Sequence, residues 1–221
     1  MKVLTYDQMK IEIIQITPNY EEILSMACSM TMKKEISSQM MSERLLDFLI
    51  SSGHTSLLEH LIVTVKTTGV SRSFLAQITR HRHMSPTSAS QHYQDYSDWP
   101  IVLSPSITNH QGMELVEACN KAFTAYRNLI LTVPKEEARQ VLPNAAAVNL
   151  LMTWNARSLL NLFEQRCCNR NVEEMRIFSN KFRALLMMRW PLLIAASGPQ
   201  CHTNLCRQGH MRCKEKKWKQ I

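Results

Sequence analysis

The pattern of hydrophobic and polar positions predicts two strands and two helices in the first third of the chain. The Ile-rich segment Lys10–Thr17 and the β-branched segment Leu61–Thr68 are typical of strands. Between them, Asn19 followed three residues later by a glutamate predicts a capped helix running to about Thr31. A second helix is expected from about Met40, with its leucines on one side and a glycine at its end.

The remaining segments are mostly helical in pattern. Helices are predicted for Ser71–Arg80, Gly112–Leu131, a segment that starts at Pro134, Ala156–Cys168 and Val172–Leu186. The polar stretch His81–Pro105 is expected to be a long loop with extended pieces. Ala145–Met152 fits either a buried strand or an apolar helical turn, and periodicity does not decide between them. Few strands among many helices, without regular βαβ alternation, predict an α+β fold.

Composition indicates an ordinary globular protein. Of the 221 residues, 45% are hydrophobic and 20% charged, and five Gly and eight Pro argue against long disordered linkers. We expect a main domain over residues 1–197 and a Cys/His/Lys-rich tail over residues 198–221. The most apolar stretch, Ala184–Ala196, is interrupted by Arg189 and Pro191, so no membrane span is expected. The first residues lack the apolar block of a secretory signal, which favours a cytoplasmic location.

The formal net charge of +8 suggests a partner rich in negative charge, such as a nucleotide, a polyglutamylated cofactor or nucleic acid. Part of this excess is local, because six Lys or Arg and a single acid lie between Arg207 and Lys219. That run is also explained as a solvated tail. One hypothesis from this pattern is a basic nucleic-acid-binding protein whose tail acts as a small knuckle.

Seven cysteines raise the question of disulfides or a metal. Without a secretory signal, reduced thiols are the better interpretation. A tetrahedral zinc site needs four ligands, and Cys201, Cys206, His210 and Cys213 could supply them. Their spacing is not one of the familiar finger patterns, so we favour no metal, with free thiols or a local redox pair in the tail.

The segment Arg80–Tyr93 carries the most informative chemistry. Arg80 and Arg82 flank His81, and hydroxyl and small residues follow in a segment without helical period. Guanidinium groups with hydroxyls and loop N–H groups form a good receptor for phosphates. The alternative is a basic cluster that satisfies the C-terminus of the preceding helix.

This segment resembles the signature of the flavin-dependent thymidylate synthases, which is Arg-His-Arg, seven residues, then Ser. Here the match is Arg80-His81-Arg82 and Ser90. Further similar segments follow in the family's order: Gly53–His60, Gln77, Glu137–Arg139 with Leu142-Pro143, Asn155–Ser158, Asn161 and Arg166. Five segments in register make coincidence improbable.

The resemblance implies a single α+β domain with a mixed sheet and several long helices, assembled into a homotetramer with active sites across subunit interfaces. It also implies FAD as cofactor, 5,10-methylenetetrahydrofolate as carbon donor and NADPH as reductant. The expected reaction is the reductive methylation of dUMP to dTMP. No protein nucleophile is required, and the cysteines offer none in an activated setting.

The family's functional residues are carried over to matching positions. The expected nucleotide-binding residues are Gln77, Arg80, Ser88, Ala89, Ser90, Gln91, His92, Arg139, Asn155, Arg157 and Arg166. The expected FAD-binding residues are His54, Ser56, Arg80, His81, Arg82, Ser88 and Asn161. Arg166 is the expected catalytic residue, because a donor-only cation stabilises negative charge on the uracil carbonyls and N3.

The phosphate loop departs from the family. Most members have an acidic residue at the position of Ser88 and an arginine at the position of His92. His92 is a weaker and pH-dependent replacement for a permanent cation. Either another cation, such as His83 or a residue of a neighbouring subunit, supports the phosphate, or the substrate differs. Hydroxymethylation of dUMP and a flavoprotein scaffold that has lost catalysis are therefore alternative hypotheses.

Overall fold

A computed structural model describes residues 1–107, 110–203 and 206–213. The strands are β1 (Val3–Thr5), β2 (Lys10–Ile16), β3 (Ile62–Ser71), β4 (Met84–Ser88), β5 (Ile101–Leu103) and β6 (Ala147–Asn155). The α-helices are α1 (Tyr20–Met32), α2 (Glu43–Ser51), α3 (Arg72–Ile78), α4 (His110–Leu129), α5 (Lys135–Ala138), α6 (Ala156–Arg166), α7 (Glu173–Met187) and α8 (Pro191–Ala195). Short 3-10 helices connect several of them, including Thr55–His60.

The strands form two sheets. In the sequence, helices alternate irregularly with the strands. The larger sheet has four strands in the order β2-β3-β6-β4. The smaller sheet pairs β1 with β5 in parallel, with Val3 opposite Ile101 and Thr5 opposite Leu103. The α+β fold class predicted from the sequence is confirmed. Among the helices formed by described residues, none has both the length and the apolarity to cross a membrane.

The segment that periodicity left undecided is strand β6. Val148, Leu150, Met152 and Trp154 are all buried, while the positions between them are exposed or half-buried. This period of two is that of a strand with one face on the core. The strand predictions for Lys10–Thr17 and Leu61–Thr68 are confirmed, and the polar stretch 81–105 contains the extended pieces β4 and β5.

The helix starts differ from the predictions in their caps. Asn19 does precede α1, but it adopts a left-handed conformation (φ 48°, ψ 46°) and its side chain forms no capping hydrogen bond. Helix α2 begins at Glu43 rather than near Met40, because the Ser42 hydroxyl accepts a hydrogen bond from the Leu45 amide at 3.3 Å. The helix predicted at Pro134 is a single turn.

The chain divides into two compact units. The first comprises Met1–Glu12, Lys66–Arg80 and Pro86–Met152. One hydrophobic cluster of this unit is made of Ile101, Leu103, Cys119, Phe123 and Ala146, and another of Tyr96, Tyr126 and Ala138. Tyr96 stacks on Trp99 at 4.5 Å between ring centroids, and its amide donates to the Tyr126 hydroxyl. These contacts hold the segment after β4 against α4.

The second unit comprises Ile13–Val65, His81–Ser85 and Thr153–Ile221. Its core includes the edge-to-face pair Phe163 and Phe182, with ring centroids 5.9 Å apart, and joins α6 to α7. Arg183 of α7 is buried, and burial lowers the pKa of its guanidinium. The cost of burying this charge is offset by hydrogen bonds to the carbonyl oxygens of Ser197 and Ile194. The end of α8 is thereby held to α7.

Candidate active site

Each compact unit contains a share of the residues expected to bind nucleotide or FAD. The first unit contains Gln77, Arg80, Ser88, Ala89, Ser90, Gln91, His92 and Arg139. The second unit contains His54, Ser56, His81, Arg82, Asn155, Arg157, Asn161 and Arg166. The loop expected to hold phosphate therefore belongs to the first unit, and the expected catalytic arginine belongs to the second.

The centre of the second unit's site is a hydrogen bond between Arg166 and His81. Arg166 is the last residue of α6, and its Nε donates to His81 Nε2 at 3.0 Å. His81 is only 9% exposed, and its ring meets the Trp154 ring edge-on at 5.7 Å between centroids. Burial and then the adjacent Arg166 charge lower the pKa of His81 to about 4. At neutral pH, His81 is therefore an uncharged acceptor that orients the Arg166 guanidinium.

Helix α6 is directed by its cap at the junction with β6. Asn155 Oδ1 accepts hydrogen bonds from the Ser158 amide at 2.8 Å and from the Ser158 hydroxyl at 2.9 Å. The Ala156 amide donates to the Leu61 carbonyl at 2.9 Å, which ties the start of the helix to the end of the 3-10 segment. Asn155 thus sets the direction of the helix that presents Arg166.

The segment Thr55–His60 packs against α6. Its Glu59 forms an ion pair with Arg157 at 2.6 Å, and both side chains are about half exposed. This pair is the surface salt bridge that would be expected of Arg157 without a ligand, and a nucleotide role for Arg157 stays a prediction. The contact brings the family-like segment Gly53–His60 beside the helix that carries Asn161. Sequence reasoning placed Glu59 in this motif but assigned it no partner.

Several residues expected to bind FAD have exposed polar side chains. His54, Ser56 and Asn161 are exposed, and Gln165 donates to Asn161 Oδ1 at 3.1 Å. The guanidinium groups of Arg80 and Arg82 are exposed and form no hydrogen bond or ion pair with any residue between 1 and 107, 110 and 203, or 206 and 213. Uncommitted cations of this kind suit the phosphates of a dinucleotide. These residue types fit FAD.

The phosphate loop of the first unit is a compact turn. The His92 amide donates to the Ser90 hydroxyl at 3.2 Å, and the Gln94 amide donates to the Ser90 carbonyl at 3.0 Å. The Ala89 carbonyl accepts from the Tyr96 hydroxyl at 3.4 Å, and Gln91 is buried. The turn is therefore anchored at Ala89 and Gln91, on both sides of Ser90.

His92 is engaged by a carboxylate rather than left available for phosphate. Its Nδ1 lies 2.5 Å from Glu136 Oε2 in α5. Arg139, three residues after Glu136, is exposed, and its Nε donates to the Glu136 carbonyl at 3.1 Å. Glu136 is a residue that sequence reasoning missed as a partner, since it lies 44 positions along the chain from His92.

A cavity of about 370 Å³ lies in the second unit between the end of α6 and the tail. Four thiols line it, those of Cys168, Cys201, Cys206 and Cys213, together with Arg166. The tail is fastened there because Gln200 Nε2 donates to Glu164 Oε1 at 2.7 Å and Arg170 Nη1 donates to Gln208 Oε1 at 3.0 Å.

The zinc alternative receives no support from this cavity. His210 does not line it, and within the described part of the chain no three His, Cys, Asp or Glu side chains are arranged to hold a metal ion. All seven cysteines are free thiols. The division into a domain over residues 1–197 and a tail over residues 198–221 stays a prediction.

Comparison with known proteins places this geometry in context. The family model described as thymidylate synthase complementing protein matches residues 12–192. The flavin-dependent thymidylate synthase of Geobacter sulfurreducens is 34% identical, with 93% of this chain and 94% of the relative covered. The enzyme of the same name from Clostridium tetani is 30% identical, with 92% of each covered. The crystal structure of the UMP/dUMP methylase PolB from Streptomyces cacaoi bound with 5-Br dUMP shares the fold. Its TM-score is 0.75 at 16% identity, over 89% of this chain and 96% of that one.

Proposed function

The chain belongs to the flavin-dependent thymidylate synthase family, and on this premise we propose that it converts dUMP to dTMP. In the proposed reaction, methylenetetrahydrofolate supplies the carbon that becomes bonded to C5 of uracil. NADPH supplies the hydride that completes the methyl group. The balanced reaction consumes dUMP, methylenetetrahydrofolate, NADPH and a proton, and it yields dTMP, tetrahydrofolate and NADP⁺.

The observation that carries this proposal is the Arg166 guanidinium held by neutral His81. An arginine offers only donors, so it stabilises negative charge on the uracil carbonyls and N3. It disfavours cytosine, whose exocyclic amine would present a donor to a donor. His81 accepts a hydrogen bond from Arg166 Nε, and this bond orients the guanidinium before the substrate binds. Such preorganised charge is the main contribution a protein can make when it supplies no nucleophile.

FAD is the proposed cofactor, because the family is flavin-dependent and the exposed polar residues fit it. The residues that the family resemblance assigns to holding it are His54, Ser56, Arg80, Arg82, Ser88 and Asn161, and His81 would border it. When bound, FAD carries reducing equivalents from NADPH to the one-carbon unit. In the homotetramer expected from the family resemblance, residues on one substrate can come from different copies of the chain.

The direct test is incubation with dUMP, methylenetetrahydrofolate, FAD and NADPH, followed by identification of the product by mass. The expected product carries a methyl group at C5. A hydroxymethyl product would support the alternative in which water intercepts the one-carbon unit. Absence of turnover with any uracil nucleotide would contradict both. A flavin absorption spectrum of the purified protein would argue against nucleic-acid binding as the primary function.

Replacing Arg166 by Ala should lower kcat by about 100-fold or more, the loss typical of removing one preorganised donor at a developing charge. The Kd for FAD, followed by flavin fluorescence, should change much less. Arg170→Ala is the matched control, because Arg170 lies four residues after Arg166, in the turn beyond the end of α6, and its guanidinium donates to Gln208 in the tail. Turnover that survives in the Arg166 variant would show that the catalytic assignment is wrong.

A further inference from the structure

The phosphate of a nucleotide requires a cation, and the residue at the family's position does not offer one freely. The imidazole of His92 is paired with the Glu136 carboxylate. A histidine bound to a carboxylate forms a pair with no net positive charge when protonated. A dianionic phosphate brought to this pair would be repelled by the carboxylate. We therefore look beyond His92 and the other expected nucleotide-binding residues, Arg139 among them, for a further cation that contacts the phosphate.

Arg72 lies at the start of α3, where three contacts fix its backbone. The hydroxyl of the preceding residue, Ser71, caps the helix by accepting from the Phe74 amide at 3.0 Å. The Arg72 amide donates to the Ala146 carbonyl at 3.0 Å, and the Ser73 amide donates to the Asn144 carbonyl at 3.2 Å. The base of the side chain is therefore held on a rigid junction between β3 and α3.

Arg72 is half-buried, and its guanidinium forms no hydrogen bond or ion pair with any residue that the structure describes. Arg72 lines a cavity of about 390 Å³, whose other polar lining residues, among those described, are Thr79, Ser88 and Asn144. Among the described residues, no acidic side chain lines this cavity. A cation beside two hydroxyls and an amide, without a carboxylate, has the composition of an anion site.

The position of Arg72 relative to the phosphate loop is supported by Tyr96. Burial raises the pKa of the Tyr96 phenol, and the positive charge of Arg72 acts in the opposite direction. The Tyr96 hydroxyl donates to the Ala89 carbonyl at 3.4 Å. Arg72 thus lies within electrostatic range of the phenol that anchors the loop at Ala89, next to Ser88.

We propose that Arg72 binds the phosphate of the nucleotide substrate, together with the Ser88 hydroxyl, in place of the arginine that the family carries at the position of His92. The inference rests on the proposed function, since it takes the ligand to be a uracil nucleotide. In this proposal Arg72, on α3, supplies the positive charge that the family's arginine supplies at the position of His92. A nucleotide with a phosphate is then compatible with the presence of His92.

The test compares ligands that differ only in the phosphate. With FAD-loaded protein, Arg72→Gln should weaken dUMP binding by about 10- to 100-fold, the loss expected for hydrogen bonds to a charged group. Binding of deoxyuridine should change by no more than about twofold, because it lacks the phosphate that Arg72 contacts. Arg72→Lys should fall between, since a lysine keeps the charge and loses the forked geometry. Calorimetry measures all three.

Arg127→Gln is the matched control. Arg127 is exposed, and its guanidinium donates hydrogen bonds to the Ser97 carbonyl and the Thr124 hydroxyl. Equal losses for dUMP and deoxyuridine, or no loss beyond that of the Arg127 control, would overturn the proposal. A weaker Kd for FAD with unchanged dUMP binding would assign Arg72 to the cofactor's phosphates and would also overturn it.

A second measurement keeps the proposal testable if Arg72 variants do not fold. In the unaltered protein, dUMP should protect Arg72 from modification by phenylglyoxal, as followed by peptide mass, and deoxyuridine should not. Absence of protection by dUMP would refute the assignment. Both measurements report binding rather than turnover. A protein that binds dUMP through Arg72 and forms no dTMP would therefore refute the proposed function and leave this inference standing.

Discussion

His81 illustrates, at the scale of one residue, how burial decides the role of a histidine. The family resemblance implies that His81, which lies between two arginines, contacts FAD. In the structure it is buried against Trp154 and accepts a hydrogen bond from Arg166. A charged imidazole could not accept that bond, because both of its nitrogens would carry protons. In an exposed position the same residue type would carry a charge only when protonated, below its ordinary pKa of about 6.5.

This burial predicts a specific pH dependence of stability. His81 has a folded pKa of about 4 against an ordinary value of 6.5, so between these values the unfolded chain binds the proton and the folded one does not. The free energy of unfolding should therefore fall by up to about 3 kcal/mol as the pH drops from about 6.5 to about 4. Above about 6.5, His81 is neutral in both states and contributes no pH dependence.

Urea denaturation at several pH values measures this effect. His81→Asn should lose the His81 part of the slope, whereas His60→Asn, at an exposed position, should keep it. An unchanged slope in the His81 variant would show that another group is responsible.

At the scale of elements, the junction between β6 and α6 is what aims the candidate site. The motif Asn155-Ala156-Arg157-Ser158 was expected from its resemblance to the family to bind nucleotide. The structure shows a second use of the same residues, because Asn155 caps the helix through Ser158 and Arg157 pairs with Glu59. A cap is local and readable in sequence, whereas Glu59 is brought to Arg157 only by the packing of two distant segments.

Asn155→Ala should lower the free energy of unfolding by about 1 kcal/mol, the usual cost of removing a helix cap. Asn155→Asp retains the capping oxygen and should keep most of that stability. Urea denaturation of both variants, with Ser71→Ala as the corresponding cap removal at α3, provides the measurement. Wild-type stability in Asn155→Ala would mean that the cap contributes little. If Asn155→Asp keeps its stability but no longer binds dUMP, the role of Asn155 in ligand binding is distinct from its role as a helix cap.

At the scale of the molecule, the seven cysteines separate into two classes by environment. Cys28, Cys119 and Cys167 are core residues, and burial raises the pKa of each thiol, to about 12 for Cys167. The other four are half-buried and line the same cavity, which lies between α6 and the tail. The tail was expected from its sequence to carry free thiols or a redox pair, and only the fold adds Cys168 to that group.

A thiol-specific disulfide reagent should therefore modify Cys168, Cys201, Cys206 and Cys213 in the native protein, and all seven cysteines after denaturation. The thiolate is the reactive form of cysteine. Burial in the core raises the pKa of the thiol, so less thiolate forms, and it also keeps the reagent away from the sulfur. Peptide mapping by mass identifies the modified residues. Modification of Cys28 or Cys119 at the rate of the tail thiols would contradict this division. The homotetramer stays a prediction, and sedimentation analysis tests it.

The sequence by itself determined what depends on neighbours along the chain. The strands at Lys10 and Leu61, the helices α6 and α7, the α+β class and the family were all readable from periodicity and motif spacing. Tertiary structure alone decided which charges are available. His92 is tied to Glu136, Arg166 is held by His81, and Arg72 is left facing a cavity beside Ser88. Ion pairing, burial and solvent access depend on distances between segments far apart in sequence, so no local pattern encodes them.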